Sequence, residues 1–358
     1  MNQAKPLALV GDEDLLGDLL KVAAAAGCDL ERAPDAGSAR GSWARAPLVV
    51  LDGQAAQGCE RVGLPRRSGV VLIASGTPPA TLFERGVAVG AERVLGLPEG
   101  ESWLAGAFAD AVDGPSQEPG RVLAVVGGRG GAGASVFTAA VGLAALRSGR
   151  RTLLVDCDPL AGGLDLVLGA ESAAGLRWPE LALGGGRVSA SSLRAALPGQ
   201  DRGQGRLTVL SCDRDNGELN PQAVATVLTS ARRGGELVVC DLPRHRSEPA
   251  EVVLDHADLA VLVVPAEVRA CAAARRVAGQ LFGEATQAQV VVRGPAPGGL
   301  SADEVARAVG LPLLTAMRSQ PGLAADLERG RPPTRGRGPL AAAARAVVEA
   351  LCEVPDAR

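Results

Sequence analysis

The chain is 358 residues long, 47% hydrophobic and 22% charged, with a formal net charge of −3. That length accommodates two domains with cores of their own, and the apolar content excludes a chain that stays disordered. The charge excludes wholesale nucleic-acid binding, and with aromatics at 2% and no tyrosine the stacking platforms of single-strand binders are missing.

Acidic residues Asp12, Glu13 and Asp14 interrupt the N-terminal apolar segment. No signal-peptide core forms, and a cytoplasmic location is the expectation. The first half reads as a strand over Leu7 to Val10, a helix over Leu15 to Ala26, a polar link, and a strand over Leu48 to Leu51 that ends on Asp52. A strong run from Val70 to Ala74 leads to Ser75, a Pro-Pro helix start and a helix through about Arg85. A short strand at Arg93 to Leu95 and a helix from Ser102 to Val112 follow. Continuous apolar strands alternating with helices predict a parallel sheet covered on both faces. The polar, turn-rich run after Asp113 marks a linker over 114–120, between a first domain at 1–113 and a second at 121–358.

The second half repeats the rhythm. Strand Arg121 to Val126 enters a glycine loop and a helix from about Ser135 to Arg147. Further strands are predicted at Thr152 to Val155, Leu207 to Leu210, Leu237 to Cys240, Leu259 to Val264 and Gln289 to Val292, with loop tips at Gly184 to Gly186 and Gly203 to Gly205. This is a doubly wound α/β sheet, whose ligands sit beyond the carboxyl ends of the strands. No run reaches the roughly 18 apolar residues of a membrane span. Seven cysteines without a C-x-x-C pair, and only two histidines, argue against a disulfide framework and a structural zinc site.

The strand, glycine loop and helix around Gly127-Gly-Arg-Gly-Gly-Ala-Gly-Ala-Ser135 form the context of a phosphate-binding loop. Glycines let backbone N–H groups face an anion, and the helix N-terminus adds a favourable dipole. The lysine that should reach the phosphates is absent: Ala134 takes its place and no lysine follows Lys21. Taken alone, the loop is equally well a plain glycine turn.

Arg129-Gly-Gly-Ala-Gly-Ala-Ser135 resembles the deviant Walker A motif of the MinD/ParA family with both of its lysines altered. Leu153 to Pro159, Leu237 to Asp241, Ala257 to Glu267 and Gln289 to Arg293 are similar to that family's later strands, so the likeness covers about residues 121 to 350. It implies a P-loop NTPase fold, ATP or ADP with Mg²⁺ as ligand, and a homodimer. Gly130, Gly131, Gly133, Ala134 and Ser135 would face the nucleotide, with Arg293 in place of an asparagine that reads the base. Ser135 and Asp241 would serve the metal, Asp158 would position the attacking water, and Arg129 would reach the partner's phosphates. Without the lysine, binding is expected to be weakened or lost and hydrolysis very slow or absent.

The first half is similar to a response-regulator receiver domain, with Asp12, Glu13, Asp52 and Ser75 at the positions of its acids, phospho-acceptor and switch hydroxyl, and Leu97 where its lysine belongs. The combination resembles the CpaE/TadZ-like branch, and within it the actinobacterial septum-site-determining Ssd proteins, on Gly169, Gly175 to Trp178 and Val209 to Ser211. That resemblance implies a focus at pole or septum and partners in the division or Tad pilus machinery. The alternatives are a working ATPase switch, and a DNA-bound partition factor using Arg329, Arg331, Arg335 and Arg337; a solvated loop is the favoured reading of those arginines. The apolar stripe from Leu340 to Leu351 lacks the lysines and aromatics of a membrane-binding helix, so it is predicted to pack on its own domain.

Overall fold

The computed structural model describes residues 4–113, 120–181, 188–214, 218–283 and 286–354. The linker, except Gly120, and the 184–186 glycines lie outside these residues. The chain divides into two compact units, Met1–Ser116 with Leu183–Leu193, and Gln117–Ala182 with Arg194–Arg358.

In the first unit, strands β1 (Leu7–Leu9), β2 (Glu31–Arg32), β3 (Val49–Leu51), β4 (Val70–Ser75) and β5 (Arg93–Leu97) form a parallel sheet in the order β2-β1-β3-β4-β5. Side chains alternate across a strand, so a sheet covered on both faces needs every position apolar. Ala8, Val50, Val71 and Ile73 accordingly join the helix residues Leu19 and Phe108 in one core. Leu7, Leu9, Val49, Leu51 and Leu72 join Trp43 and Leu82 in another. The polar link between the first two predicted strands contains β2 and a helix at Ala36–Trp43. Glycine and serine dilute that helix, whose buried Ala36, Ala39 and Trp43 make only a thin apolar stripe.

The second unit holds an eight-stranded sheet. Its strands are β6 (Arg121–Gly127), β7 (Arg151–Asp156), β8 (Gly199–Arg202), β9 (Gly205–Leu210), β10 (Leu237–Leu242), β11 (Leu259–Pro265), β12 (Ala288–Arg293) and β13 (Leu313–Met317). Their order is β13-β12-β11-β6-β10-β7-β9-β8, parallel except for the antiparallel edge strand β8. All four β8 residues are exposed, so no hydrophobic pattern announced it. Helix Ala134–Arg147 is buried from Phe137 through Leu146, which explains why it is apolar on every side. It packs close to β7 because Gly142 has no side chain: a Cβ there would stand 2.7 Å from Leu154.

The C-terminal helix Pro339–Glu353 carries Leu340, Ala343, Ala344, Val347, Val348 and Leu351 into the same core as Phe137. The apolar stripe predicted at the tail is therefore covered by its own unit. Among the described residues no helix is long and apolar enough to cross a membrane.

Gly169 and Gly175 have steric reasons to be glycine. Gly169 has φ +69° and passes so close to the Gly330 carbonyl that a Cβ would lie 2.0 Å from its oxygen. Gly175 has φ +135° and would place a Cβ 2.4 Å from the Pro198 nitrogen. L-residues are strained in this region, and backbone cannot move aside as a side-chain tip can.

Candidate functional site

The site lies at the carboxyl ends of the central strands β6, β10 and β7. The loop after β6 needs its glycines for two reasons. Gly131 and Gly133 sit at φ +69° and +92°, and a Cβ on Gly128 would meet that of Ala274 at 2.8 Å. Gly133 is the N-cap of helix Ala134–Arg147 and offers no side-chain cap, so the first N–H groups of the helix stay free for an anion.

Three arginines border this loop. Arg129 sets one terminal nitrogen 2.9 and 3.0 Å from the two carboxylate oxygens of Glu267, just beyond β11, and donates to the Gly130 carbonyl at 3.3 Å. Arg244, after β10, holds its guanidinium 3.7 to 4.0 Å from the Cβ position of Gly130. Arg293, at the end of β12, brings Nη1 to 3.1 Å from the Cβ position of Gly133. The Nε atoms of Arg129 and Arg293 are buried without a hydrogen-bond partner.

Carboxylates occupy the other side. Asp241 faces Asp156 in the parallel register of β10 and β7, and Thr138 donates to Asp241 Oδ1 at 3.3 Å. Burial pushes the Asp241 carboxyl up to about 7, opposed by a bond from the Ser135 hydroxyl and reinforced by the charges of Asp156 and Asp158. Burial likewise raises Asp156 to about 6, although its oxygens accept from the N–H groups of Asp158, Leu164 and Cys212 and from the Ser211 hydroxyl, at 3.0 to 3.4 Å. Asp158 is partly exposed and accepts from Leu160 N–H at 3.2 Å, a short turn that leaves its other oxygen outside any described bond.

The structure thus gathers Gly130, Gly131, Gly133, Ala134, Ser135, Asp158, Asp241, Arg129 and Arg293 in one place. The sequence reading missed Asp156, Thr138, Arg244 and Glu267. Asp156 lay inside the Leu153 to Pro159 motif, and its place as the last residue of β7 was the available signal. Asp165 is buried, ion-paired to Arg177 at 3.1 Å and to Arg214 at 3.3 Å, and it braces the Gly175 to Trp178 segment whose Trp178 indole donates to the Asp156 carbonyl at 2.7 Å.

ATP or ADP with Mg²⁺ is the group this fold implies, and its phosphate end fits the residues present. The loop turns through glycines at positive φ, the helix N–H groups have no side-chain cap, and Arg293 brings Nη1 to 3.1 Å from the Cβ position of Gly133. The Mg²⁺ oxygens would come from Ser135 and Asp241, with the phosphates. Among the described residues no cluster of three or more His, Cys, Asp or Glu side chains is arranged to hold a metal on its own.

The Arg129–Glu267 pair is only about a third exposed on each side, yet open enough to be screened. Glu267→Ala is expected to change stability by less than about 1 kcal/mol in urea titration.

In the first unit, Asp52 is buried and used structurally. Its Oδ2 accepts from Gly11 N–H at 2.6 Å and Asp12 N–H at 3.3 Å, while Oδ1 caps helix Gly53–Val62 through Ala55 N–H at 2.7 Å. Asp12 caps the first helix through Leu15 N–H at 3.0 Å, Glu13 and Ser75 are exposed, and Leu97 is buried. Asp52→Ala is expected to cost about 1 to 2 kcal/mol in urea unfolding. The unmutated protein should gain no phosphate mass from acetyl phosphate.

Fold and site together define a receiver-like domain followed by a P-loop NTPase fold of the MinD/ParA type. A family model described as "Rv3660c-like, CheY-like N-terminal domain" matches residues 9–120, and one for the cellulose biosynthesis protein BcsQ matches residues 121–281. The chain is 47% identical to the Mycobacterium tuberculosis protein Rv3660c over 350 residues, 96% of this chain and 97% of that one, and it belongs to the same family. It is also 27% identical over 231 residues to a putative septum site-determining protein MinD of Nephroselmis olivacea, covering 61% of this chain and 81% of the other. The fold matches the septum site-determining protein MinD of Pyrococcus horikoshii complexed with Mg-ADP, with a TM-score of 0.54 and 19% identity over 65% of this chain and 96% of that one.

Proposed function

We propose that the protein is a MinD-like spatial regulator that acts without ATP turnover, or with very little, and localises and regulates septum formation or Tad pilus assembly. The observation that carries this reading is Ala134 at the first position of the helix behind a phosphate cradle that is otherwise complete. Phosphoryl transfer depends on cations and a metal that stabilise charge on the moving group; bound Mg²⁺ would supply part of that charge. Ser135 and Asp241 would orient the metal, Arg129 would hold phosphate or bridge to a second copy, and Asp158 would hold a water. With no lysine in the loop, these residues favour holding a nucleotide over hydrolysing it.

The domain proposal is a receiver-like module over 1–113, joined through 114–120 to a MinD/ParA-like module over 121–358. Asp12 and Asp52 of the first module are spent on helix capping, which favours a docking role over phosphorylation. The reading places the protein in the Ssd and CpaE/TadZ-like branch, in the cytoplasm, as a homodimer, with no stable membrane insertion and no DNA client. A functional fluorescent fusion should form a focus at pole or septum, and deletion of the gene should disturb division or piliation. A uniformly diffuse fusion with a silent deletion would overturn the proposal.

A further inference from the structure

The three arginines around the loop differ in what neutralises them. Arg129 is paired with Glu267, and Arg244 is exposed to solvent. Arg293 is half-buried; among the described residues its side chain makes no hydrogen bond or ion pair, and its Nε is buried and orphaned. Its Nη1 lies against Gly133, the residue that opens helix Ala134–Arg147.

A guanidinium at a helix N-terminus meets the positive end of the dipole and is disfavoured there. Arg129 nearby adds to the repulsion and Glu267 relieves part of it, while burial is the largest influence lowering the Arg293 pKa. Aliphatic packing alone does not require a guanidinium at this point. A multiply charged anion reverses the sign of every one of these interactions. It would accept from uncapped helix N–H groups on one side and from a planar, forked donor on the other.

We propose that Arg293 is the phosphate-gripping cation of this site: it supplies, from the end of β12, the charge that the loop lacks at Ala134, and so holds a di- or triphosphate group over Gly133. This deepens the reading of the loop as a retained cradle, and it assigns Arg293 to the phosphates although the resemblance puts it in the place of an asparagine that reads the base.

The test is calorimetric titration of the full chain with pyrophosphate and with ADP, each with Mg²⁺, for the unmutated protein, Arg293→Gln, Arg293→Lys and the double variant Ala134→Lys with Arg293→Gln. Loss of one charge-assisted contact should weaken binding about ten- to hundredfold in Arg293→Gln. Arg293→Lys should bind more tightly than Arg293→Gln, because it keeps the charge though not the fork, and adding Ala134→Lys to Arg293→Gln should gain more than it gains in the unmutated protein, which a merely structural role for Arg293 does not predict. Circular dichroism confirms that each variant is folded. Equal affinity for ADP and pyrophosphate identifies the phosphate end alone as the ligand, and tighter ADP binding identifies the nucleotide; either supports the assignment. It is overturned if Arg293→Gln binds as tightly as the unmutated protein or more tightly, if the double variant recovers nothing, or if the unmutated protein binds neither probe. A diffuse fusion beside Arg293-dependent binding would sink only the spatial-regulator reading, and focal localisation without phosphate binding would sink only this one.

Discussion

Ala134→Lys is expected to tighten binding of Mg-ADP by about ten- to hundredfold, the worth of one added charge-assisted hydrogen bond. Ala134 is the first residue of the helix, half-exposed, and its Cβ stands 3.6 Å from the Cβ position of Gly127 across the loop. Side chains of a helix tilt toward its N-terminus, so a lysine here extends back over the glycine cradle toward a bound phosphate. Arg293 lies beside Gly133 and repels the new charge, which holds the gain well below that of a lysine entering an uncharged loop. The measurement is calorimetric titration of both proteins under one buffer. Unchanged affinity would mean that the loop no longer presents its N–H groups to phosphate.

The second large effect is on stability. The Asp241 carboxyl titrates near 7 and that of Asp156 near 6 in the folded protein, against 3.8 as the ordinary value for both. The native state therefore keeps protons that the unfolded chain releases from about pH 4 upward, and these groups favour folding most at the acid end of that window. Their contribution is lost as pH rises through 6 and 7, at about 1.4 kcal/mol for each pH unit between the unfolded and folded titration points. Asp241 is 2% exposed, and Asn retains an acceptor for Thr138 while removing the buried charge. Asp241→Asn is expected to be more stable than the unmutated protein at pH 8.5 by about 4 kcal/mol and to lose about half of that advantage at pH 5.5. Urea titrations at the two pH values decide this. An advantage that grew toward acid would contradict the account. Asp156 is the poorer choice for such a substitution, because three N–H groups and a hydroxyl converge on its two oxygens and an amide would turn a donor toward them.

The parallel sheets were legible in the sequence because their strands are buried on both faces. Val70 to Ile73 and Leu259 to Val264 carry no polar residue to dilute the signal, and both are almost fully buried. Strand β8 was not legible, since it reads Gly-Gln-Asp-Arg and lies exposed at an edge. The helix Ala36–Trp43 escaped because small or polar residues fill most of it, and strand β13, Leu-Leu-Thr-Ala-Met, is short and mostly only partly buried at the other edge of the sheet. The glycine loop could be read because its chemistry is local, one strand, one turn and one helix. Arg244, Glu267 and Asp156 could not be read in the same way. They reach the loop from β10, β11 and β7, and only the strand order β11-β6-β10-β7 brings those ends together. Arg293 was noticed as a departure from a pattern, yet its approach to Gly133 depends on the end of β12 and is invisible in a linear sequence.

The receiver-like unit teaches the complementary point. Asp12 and Asp52 drew attention as acids at strand ends, and strand ends are also where helices begin. Both side chains are committed to N–H groups of the following helix, and Asp52 ties the loop after β1 to the loop after β3 as well. An acid at the start of a helix is first a cap, and chemistry has to be argued from what is left over.

The central claim is that this site holds phosphate without turning it over. Release of inorganic phosphate from saturating Mg-ATP, by the purified full chain and by Asp158→Ala side by side, tests it most directly. The account predicts that both proteins match the buffer blank. Turnover by the unmutated protein that Asp158→Ala abolishes would contradict it and make the molecule a working ATPase switch.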